Sequence, residues 1–361
     1  MPGGTAAWSG EVPVKKSKIN TMSELSKAIG VSRPTLSRFF QDPESVSPAS
    51  RKRINQALER VDYVPNFFFT RLNRKSTGLI GVIIPHLNDP FFTSLLDVIE
   101  LEAMKVGFTI ITQGSHGDQE VEARASEKLL SMNPDGVLVA PLGAEGSDGA
   151  LERLSANIPL VFVDSRLPGR MLDVDFVGTN NRQSIGVMVE YLCRTGVPPV
   201  FLGMPRVNSN SLEREESYRI KMQELGHAPV VVDPCGVEPT WEFEAYALQV
   251  MEEHFGRGRY ANATILCAND RLAFGVLRAA NNHGLFAGRG KTRRSIRIAG
   301  HDDNPVSRFM TPALTTMAQD VGALGRAAIE TLRGRITNDT DPANAPRIQA
   351  FDAALKVRES T

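Results

Sequence analysis

The chain has 361 residues, of which 42% are hydrophobic and 23% charged, a composition that excludes a disordered, fibrous or membrane-embedded protein. Basic and acidic residues balance at 41 each, yet eleven Lys and Arg stand against five Asp and Glu between Lys18 and Lys75. A small basic segment before a long acidic one is typical of a nucleic-acid-binding domain with a separate body, although chance clustering of surface charge gives the same count.

The first seventeen residues contain two adjacent lysines with no apolar run after them, which predicts a disordered tail rather than a secretory signal. No apolar stretch approaches the roughly 20 residues of a membrane-spanning helix, so we expect no membrane partner. The three cysteines, an odd number without the spacing of metal ligands, indicate a reducing cytoplasm with neither a disulfide nor a metal site.

Two short helices are predicted at the start of the basic segment. Thr21 and Glu24 have the spacing of a capping box, so the first helix should begin at Met22. Gly30 should end it, because glycine readily adopts the left-handed conformation that closes a helix. Ser32 should then cap the second helix after a tight turn.

The second helix should turn Leu36 and Phe40 inward. Its outer face would then carry a mainly polar set: Arg33, Pro34, Ser37 and Arg38. A third helix, capped by Ser47 and with Ile54, Leu58 and Val61 at helical spacing, would close a three-helix core. This is the geometry of a helix-turn-helix, whose second helix enters the major groove of DNA; a generic helical subdomain with surface arginines is the alternative.

From Gly78 onward, short apolar runs alternate with amphipathic stretches in two series. The predicted strands are Leu79–Ile84, Phe108–Thr112, Gly136–Ala140, Pro159–Val163, Val200–Gly203, Val230–Val232, Thr264–Cys267 and Ile296–Ala299. The predicted helices are 92–106, 119–131, 148–156, 182–195, 212–225, 241–254 and 271–283. The alternation predicts an α/β body of two doubly wound lobes, each built on a parallel sheet, after a small all-α helix-turn-helix domain.

Polar and aromatic side chains follow the predicted strands at their carboxyl ends, where open parallel sheets bind ligands. Phe91 and Phe92 offer aromatic faces on which a sugar ring can stack. The polar candidates are Asp89, Asp164, Arg166, Asn269, Asp270, Asp302 and Asp303. Taken one at a time, these side chains are equally well explained as caps of loop backbone.

Motifs of enzymes are not found in the sequence. The glycine-rich residues 143–149 lack dinucleotide-binding spacing, and 288–292 lack the first glycine of a phosphate loop, where Leu285 stands. We therefore expect no enzymatic activity and no cofactor. We interpret His283 as a surface residue, and His86 and His301 as residues of the pocket rim without catalytic roles.

The chain resembles the lactose/galactose repressor (LacI/GalR) family. Four segments follow that family's order and spacing: GVSRPTLSR at 30–38, VSPASRKRI at 46–54, YVPN at 63–66 and TRLNRKSTGLIGVIIP at 70–85. The likeness continues to VREST at 357–361 and covers nearly the whole chain after the tail. It implies a transcription regulator, most often a repressor, whose body is periplasmic-binding-protein-like.

The resemblance implies specific DNA contacts on double-stranded operator DNA. It places Arg33, Pro34 and Arg38 at base-reading positions, and Ser32, Thr35 and Ser37 at positions that contact phosphates. Asn66 and Leu72 match a hinge helix whose leucine wedges into the minor groove. Phe69 stands where the family usually has Ala, at the position that faces the partner hinge helix. Packing of residues 67–69 on the body is the alternative to pairing of two hinges.

The resemblance also implies a sugar-like effector in the cleft between the lobes. From the resemblance its expected contacts are Phe92, Arg214, Asn269, Asp302 and Gln319. Asp89, Phe91 and Asp164 are added because they follow predicted strands. Ser165 and Ser217 depart from the family's usual residues, which leaves the identity of the ligand open.

The implied organisation is a tail (1–17), a helix-turn-helix domain (18–61), a hinge (62–76) and a body (77–361). Because one helix-turn-helix reads a half-site, we expect a homodimer on a pseudo-palindrome. A solute-binding protein of the same fold and an α/β enzyme using the cleft are the rival hypotheses.

Overall fold

The computed structural model describes the chain in six stretches: residues 17–63, 76–143, 149–167, 169–286, 296–337 and 345–361. Two compact units, Met1–Thr77 and Gly78–Thr361, make up the chain. The hinge residues Asn66, Phe69 and Leu72 lie outside the described residues.

The small unit is a three-helix domain. Its helices are α1 (Met22–Ile29), α2 (Arg33–Gln41) and α3 (Pro48–Leu58), and a parallel strand pair, β1 (Ser17–Lys18) and β2 (Val61–Asp62), joins its two ends. Hydroxyls of Thr21, Ser32 and Ser47 accept backbone hydrogen bonds at the three helix starts, as the sequence predicts. Gly30 ends α1 at φ 62°, in the left-handed region.

The core of the small unit corrects one prediction. Phe39, rather than Phe40, is the fully covered aromatic residue of α2, next to buried Leu36 and Ile54. Positions three and four residues after Leu36 both adjoin it on a helix, and sequence alone does not rank them. Phe40 is half-buried and packs its ring against Phe39 and Tyr63.

The body alternates strands and helices along most of its length. In chain order its elements are β3 (Leu79–Ile84), α4 (Pro90–Lys105), β4 (Thr109–Gly114), α5 (Gln119–Met132), β5 (Gly136–Val139), α6 (Ala150–Asn157), β6 (Leu160–Val163), β7 (Asp175–Thr179), α7 (Asn181–Thr195), β8 (Val200–Leu202), α8 (Ser209–Glu224), α9 (Phe243–Gly256), β9 (Thr264–Cys267), α10 (Asp270–Asn282), β10 (Arg297–Asp302), a 3-10 turn (Ser307–Phe309), β11 (Thr315–Ala318), α11 (Val321–Ile336), β12 (Ile348–Phe351) and β13 (Ala354–Lys356).

These elements form two lobes, each with its own sheet. The first sheet has the order β12-β7-β6-β5-β3-β4 and is parallel throughout. The second has the order β13-β11-β10-β9-β8, in which only β13 runs antiparallel among the described strands. Apolar strand residues and the inner faces of the helices form the core of each lobe.

The chain crosses between the lobes three times: after β7, after β11 and after β12. Helix α11 follows a strand of the second lobe but packs on α4 of the first. There a Cβ on Gly325 would stand 2.5 Å from a methyl of Val98, so only glycine permits this close approach. Neither the elements after residue 302 nor the crossings between the lobes at β11 and β12 were predicted from the sequence.

One predicted strand is nearly absent. Residues 230–232 form a single bridge, from Val231 to Phe201, rather than a strand. Within the six described stretches, no helix is both long enough and apolar enough to cross a bilayer.

Candidate functional site

The outer face of α2 presents the residues predicted to contact DNA. Arg33, Pro34 and Arg38 are exposed, and neither arginine pairs with an acidic side chain of the described residues. The Ser32 hydroxyl lies 2.8 Å from that of Thr35, at the amino end of the helix. A helix face with hydroxyls at its amino end, and with two guanidinium groups that pair with no acidic side chain of the described residues, is suited to phosphates and base edges.

A pocket lies between the lobes, where the carboxyl ends of both sets of parallel strands meet. All eight predicted effector residues line it: Asp89, Phe91, Phe92, Asp164, Arg214, Asn269, Asp302 and Gln319. Five residues that the sequence did not single out as ligand contacts complete the lining: Met204, Asn208, Asn210, Trp241 and Phe243.

Arg214 on α8 is the central cation of this pocket. Its Nε donates to Asn181 Oδ1 at 3.0 Å, and its Nη1 donates to the main-chain oxygen of Ala268 at 2.8 Å. The same Nη1 lies 3.4 Å from Asp302 Oδ1. The guanidinium is therefore fixed in place by contacts from three separate elements.

Asp302 ends β10 and accepts hydrogen bonds from several donors. Gln319 Nε2 donates to its Oδ1 at 2.7 Å, and His301 Nδ1 lies 2.9 Å from the same oxygen. Burial acts to raise the pKa of Asp302, but Arg214 and the donors from His301 and Gln319 outweigh it and lower the pKa. Asp302 is thus a charged acceptor, suited to ligand hydroxyls.

His301 is wholly buried behind Asp302, which corrects the expectation that it lies at the pocket rim. Burial, followed by the charge of Arg214, lowers the pKa of His301 to about 4, so its ring is neutral near pH 7. Its Nε2 lies 2.9 Å from the hydroxyl of Ser184. The ring orients Asp302 and does not reach the pocket.

Asp89 links the two lobes through an ion pair. It caps α4 by accepting from the main-chain nitrogen of Phe91, and its other oxygen accepts from Arg271 Nη1 at 3.0 Å. Arg271 also donates to both carboxylate oxygens of Glu244 at 2.7 Å each. Burial raises the pKa of Asp89 although Arg271 opposes the shift. Arg271 was not singled out from the sequence, because its partners are distant along the chain.

Asp164 follows β6 in a left-handed conformation, with φ 64°. Its Oδ2 accepts from Asn210 Nδ2 of the second lobe at 3.0 Å. Burial raises the pKa of Asp164 to about 7, with smaller contributions from its neighbours. This carboxylate is therefore poised to respond to a charge placed in the pocket.

Aromatic side chains form the apolar part of the pocket lining. The rings of Phe91 and Phe92 meet edge to face, with centroids 5.3 Å apart. Trp241 precedes α9 and reaches across to the first lobe, where its ring centroid lies 5.1 Å from that of His86. Aromatic faces beside charged acceptors suit a small molecule whose ring has apolar faces and carries hydroxyl groups.

Within the described stretches, no group of histidine, cysteine or carboxylate side chains is arranged to hold a metal ion. His283 is exposed and contacts Glu252, as a surface residue should. Asn181 and Asn210 were missed by the sequence analysis, since an isolated asparagine carries no pattern.

Comparison with known proteins identifies both units. The chain matches the model for bacterial regulatory proteins of the lacI family over residues 21–66, and the periplasmic binding protein domain model over residues 80–340. The HTH-type transcriptional regulator PtxS of Pseudomonas putida is 28% identical over 344 residues, covering 94% of this chain and 96% of that protein.

Two further comparisons agree. The ribose operon repressor of Escherichia coli is 26% identical, covering 89% of this chain and 94% of its own length. A crystal structure of the Lac repressor dimer bound to operator and the anti-inducer ONPF has a TM-score of 0.78 at 22% identity, covering 94% of this chain and 98% of that chain. The chain belongs to the LacI/GalR family, in which a helix-turn-helix domain precedes a periplasmic-binding-protein-like body, and is a sequence-specific DNA-binding transcription regulator.

Proposed function

We propose that the chain is a cytoplasmic repressor without catalytic activity, which binds a pseudo-palindromic operator as a homodimer and senses a sugar-like effector in the interlobe pocket. The observation that carries the proposal is the pocket itself, where Arg214, Asp302 and Gln319 are fixed beside the aromatic faces of Phe91 and Phe92. A guanidinium and a carboxylate held at one site can bind neighbouring hydroxyls of a sugar in both directions.

The proposal is tested by a gel-shift with genomic fragments, repeated with candidate sugars. The proposal is supported if the protein retains a DNA fragment and a sugar weakens or strengthens that binding. A solute-binding protein would bind sugar without retaining any fragment, and an enzyme would consume the sugar. In the proposal, Ser32, Thr35 and Ser37 contact phosphates, while the hinge residues Asn66 and Leu72 contact the minor groove.

Arg38→Ala is expected to weaken binding to the cognate operator by about 1–3 kcal/mol and to flatten base preference at one position of each half-site. The exposed Arg38 guanidinium is free to pair with a guanine edge. Binding of wild-type and variant protein to a library of single-base operator changes measures both effects. Lys52→Ala, an exposed cation on α3, is the control, and unchanged base preference in Arg38→Ala would contradict the assignment.

The dimer is expected to form through exposed apolar side chains of the body. Leu101 and Met104 on α4 are exposed, and Phe309 after β10 is 78% exposed. Exposed apolar side chains three positions apart, such as Leu101 with Met104 and Val306 with Phe309, form patches that mark protein contacts, whereas a single exposed leucine does not. We expect a dimer at micromolar concentration by light scattering, and a monomer after Phe309→Asp. Leu172→Asp, at another exposed leucine, should leave the dimer intact; a stable tetramer of the wild type would contradict the proposal.

Asp302→Ala is expected to abolish the response of the protein to its effector, because it removes the charged acceptor for ligand hydroxyls. Trp241 lines the pocket, and the other tryptophan, Trp8, lies near the amino terminus, so fluorescence reports on the pocket. Ligand and DNA must alter each other's affinity by the same factor, so the loss should appear both in fluorescence and in operator release. Operator binding without ligand should survive.

If Asp302→Ala instead loses operator binding while folded and dimeric, the effector is a corepressor or the pocket assignment is wrong. Titration of wild-type protein refolded free of ligand separates these outcomes. A corepressor would restore operator binding when it is added back to that protein.

A further inference from the structure

The carboxylates of the interlobe pocket are unequally neutralised. Asp89 is paired with Arg271, and Asp302 lies against Arg214. Asp164 has no such partner: no lysine, arginine or histidine nitrogen of the described residues lies within 4.0 Å of its carboxylate. Three carboxylates thus line one pocket, and only two of them have an arginine partner among the described residues.

Arg214, whose charge acts on Asp164, and Arg166, two residues further along the chain, are both engaged elsewhere. Arg214 directs its donors to Asn181, Ala268 and Asp302. Arg166 lies 3.5 Å from Glu213 and stands over the ring of Phe176. The carboxylate of Asp164, in a residue only 6% exposed, therefore receives one side-chain hydrogen bond within the described stretches, from the amide of Asn210.

A second unfilled acceptor lines the same pocket. Asn208 stands at the N-cap position of α8, but its side chain makes no capping hydrogen bond. The residue is 9% exposed, and its Oδ1 is buried with no donor in the part of the chain that the structure describes. A buried oxygen without a donor loses the full free energy of its hydration, so a ligand that supplies a donor here gains affinity.

We propose that the effector carries a protonated amine, which binds at the subsite formed by Asp164 and Asn208. The inference rests on the proposed function, since it names the chemical class of the ligand for the same pocket. An ammonium group supplies three donors and one positive charge, which matches a carboxylate without a cationic partner and an amide oxygen without a donor that line the same pocket, both within the described residues. The expected class is an amino sugar or a similar polyhydroxylated amine.

The same arrangement disfavours anionic ligands. A sugar acid or sugar phosphate would bring a negative charge next to Asp164, and like charges in a buried site repel strongly. Burial raises the pKa of Asp164 to about 7, with Asp302 and Asp89 adding to the shift and Arg214 opposing it. A cation at the subsite would reverse this shift, whereas an anion would increase it.

The test is calorimetric titration of the full-length protein at about pH 7, where Asp164 is about half ionised and an amino sugar is still mostly protonated. The probes are glucosamine, galactosamine and mannosamine, the three parent hexoses, the three N-acetyl derivatives and the corresponding hexonates. We expect one amino sugar to bind at least about tenfold more tightly than its parent hexose, because charged hydrogen bonds are the stronger ones, and the hexonates to bind most weakly.

Asp164→Asn should reduce the preference for the amine to within about threefold, because it removes the charge and keeps the shape. Asparagine tolerates the left-handed backbone at this position, so the variant should fold. Asp303→Asn removes one charge near the pocket but outside its lining, and it should keep the preference. If both variants lose the preference for the amine equally, the preference comes from the overall negative charge near the pocket, and the subsite assignment is wrong.

The outcomes separate the inference from the proposed function. A neutral hexose or a hexonate that binds as tightly as the amine overturns the inference and leaves sugar sensing intact. If no member of the panel binds or alters operator affinity, both the inference and the sugar-sensing proposal are wrong.

Discussion

Arg214→Ala is expected to lower the free energy of unfolding of the body by about 3–5 kcal/mol, as is usual when one partner of a buried ionic network is removed. The variant leaves Asn181 Oδ1 and the oxygen of Ala268 without their donor, and it leaves Asp302 charged without its guanidinium. Urea unfolding of the full-length protein, followed by far-ultraviolet circular dichroism and by Trp241 fluorescence, measures the change.

Arg166→Ala is the matched control. This arginine also belongs to the region between the lobes, but its side chain is 46% exposed and its ion pair with Glu213 spans 3.5 Å. Such a pair contributes less than about 1 kcal/mol. Equal destabilisation by the two variants would mean that the network around Arg214 does not hold the pocket together.

Glu122→Gln is expected to stabilise the body in a pH-dependent manner, by roughly 3 kcal/mol above neutral pH. Glu122 on α5 is buried, and one carboxylate oxygen accepts from the main-chain nitrogen of Leu142 at 3.0 Å. Burial raises the pKa of Glu122 to about 7 against an ordinary value of 4.5. Glutamine keeps the acceptor for Leu142 and carries no charge.

The direction of this effect follows from the two protonation states. Below about pH 4.5, Glu122 is protonated in the folded and unfolded chains, and the difference between wild type and variant is constant. Between about pH 4.5 and about pH 7 the unfolded chain ionises while the folded chain does not, so the wild type loses stability relative to the variant. Above about pH 7 the difference becomes constant again.

Unfolding free energies measured at pH intervals from acid to neutral test this prediction. Glu120→Gln, two residues earlier and exposed on the same helix, should show no such window. A difference between Glu122→Gln and wild type that stays flat with pH would contradict the burial of an ionisable carboxyl at this position.

Local patterns in the sequence predicted most of the elements correctly. Hydroxyl caps and a glycine stop fix the ends of α1 and α2, because these signals act within a single turn. The strand Thr264–Cys267 was predicted to the residue, since a short apolar run between helical patterns can only be a buried strand here. Side chains that follow the strands could also be assigned to one pocket, because the carboxyl ends of parallel strands lie at the same edge of a sheet.

The strands and contacts that were not predicted from the sequence depend on partners far away along the chain. Strands β11, β12 and β13 are three or four residues long and complete sheets begun more than a hundred residues earlier. The Arg271 to Asp89 ion pair joins residues 182 positions apart, and no local spacing announces it. The orientation of Phe39 against Phe40 likewise depends on which neighbour covers each ring.

The three crossings between the lobes bear on synthesis of the protein on the ribosome. The helix-turn-helix unit ends at Thr77 and can fold while most of the body is still untranslated. Neither lobe has all its strands until residues 348–356 have emerged, because β12 belongs to the first sheet and β13 to the second. A chain cut short by a premature stop codon before residue 348 therefore lacks an edge strand in both lobes while its DNA-reading unit is whole, so such alleles should yield products that retain the reading helix but lack a complete sensing body.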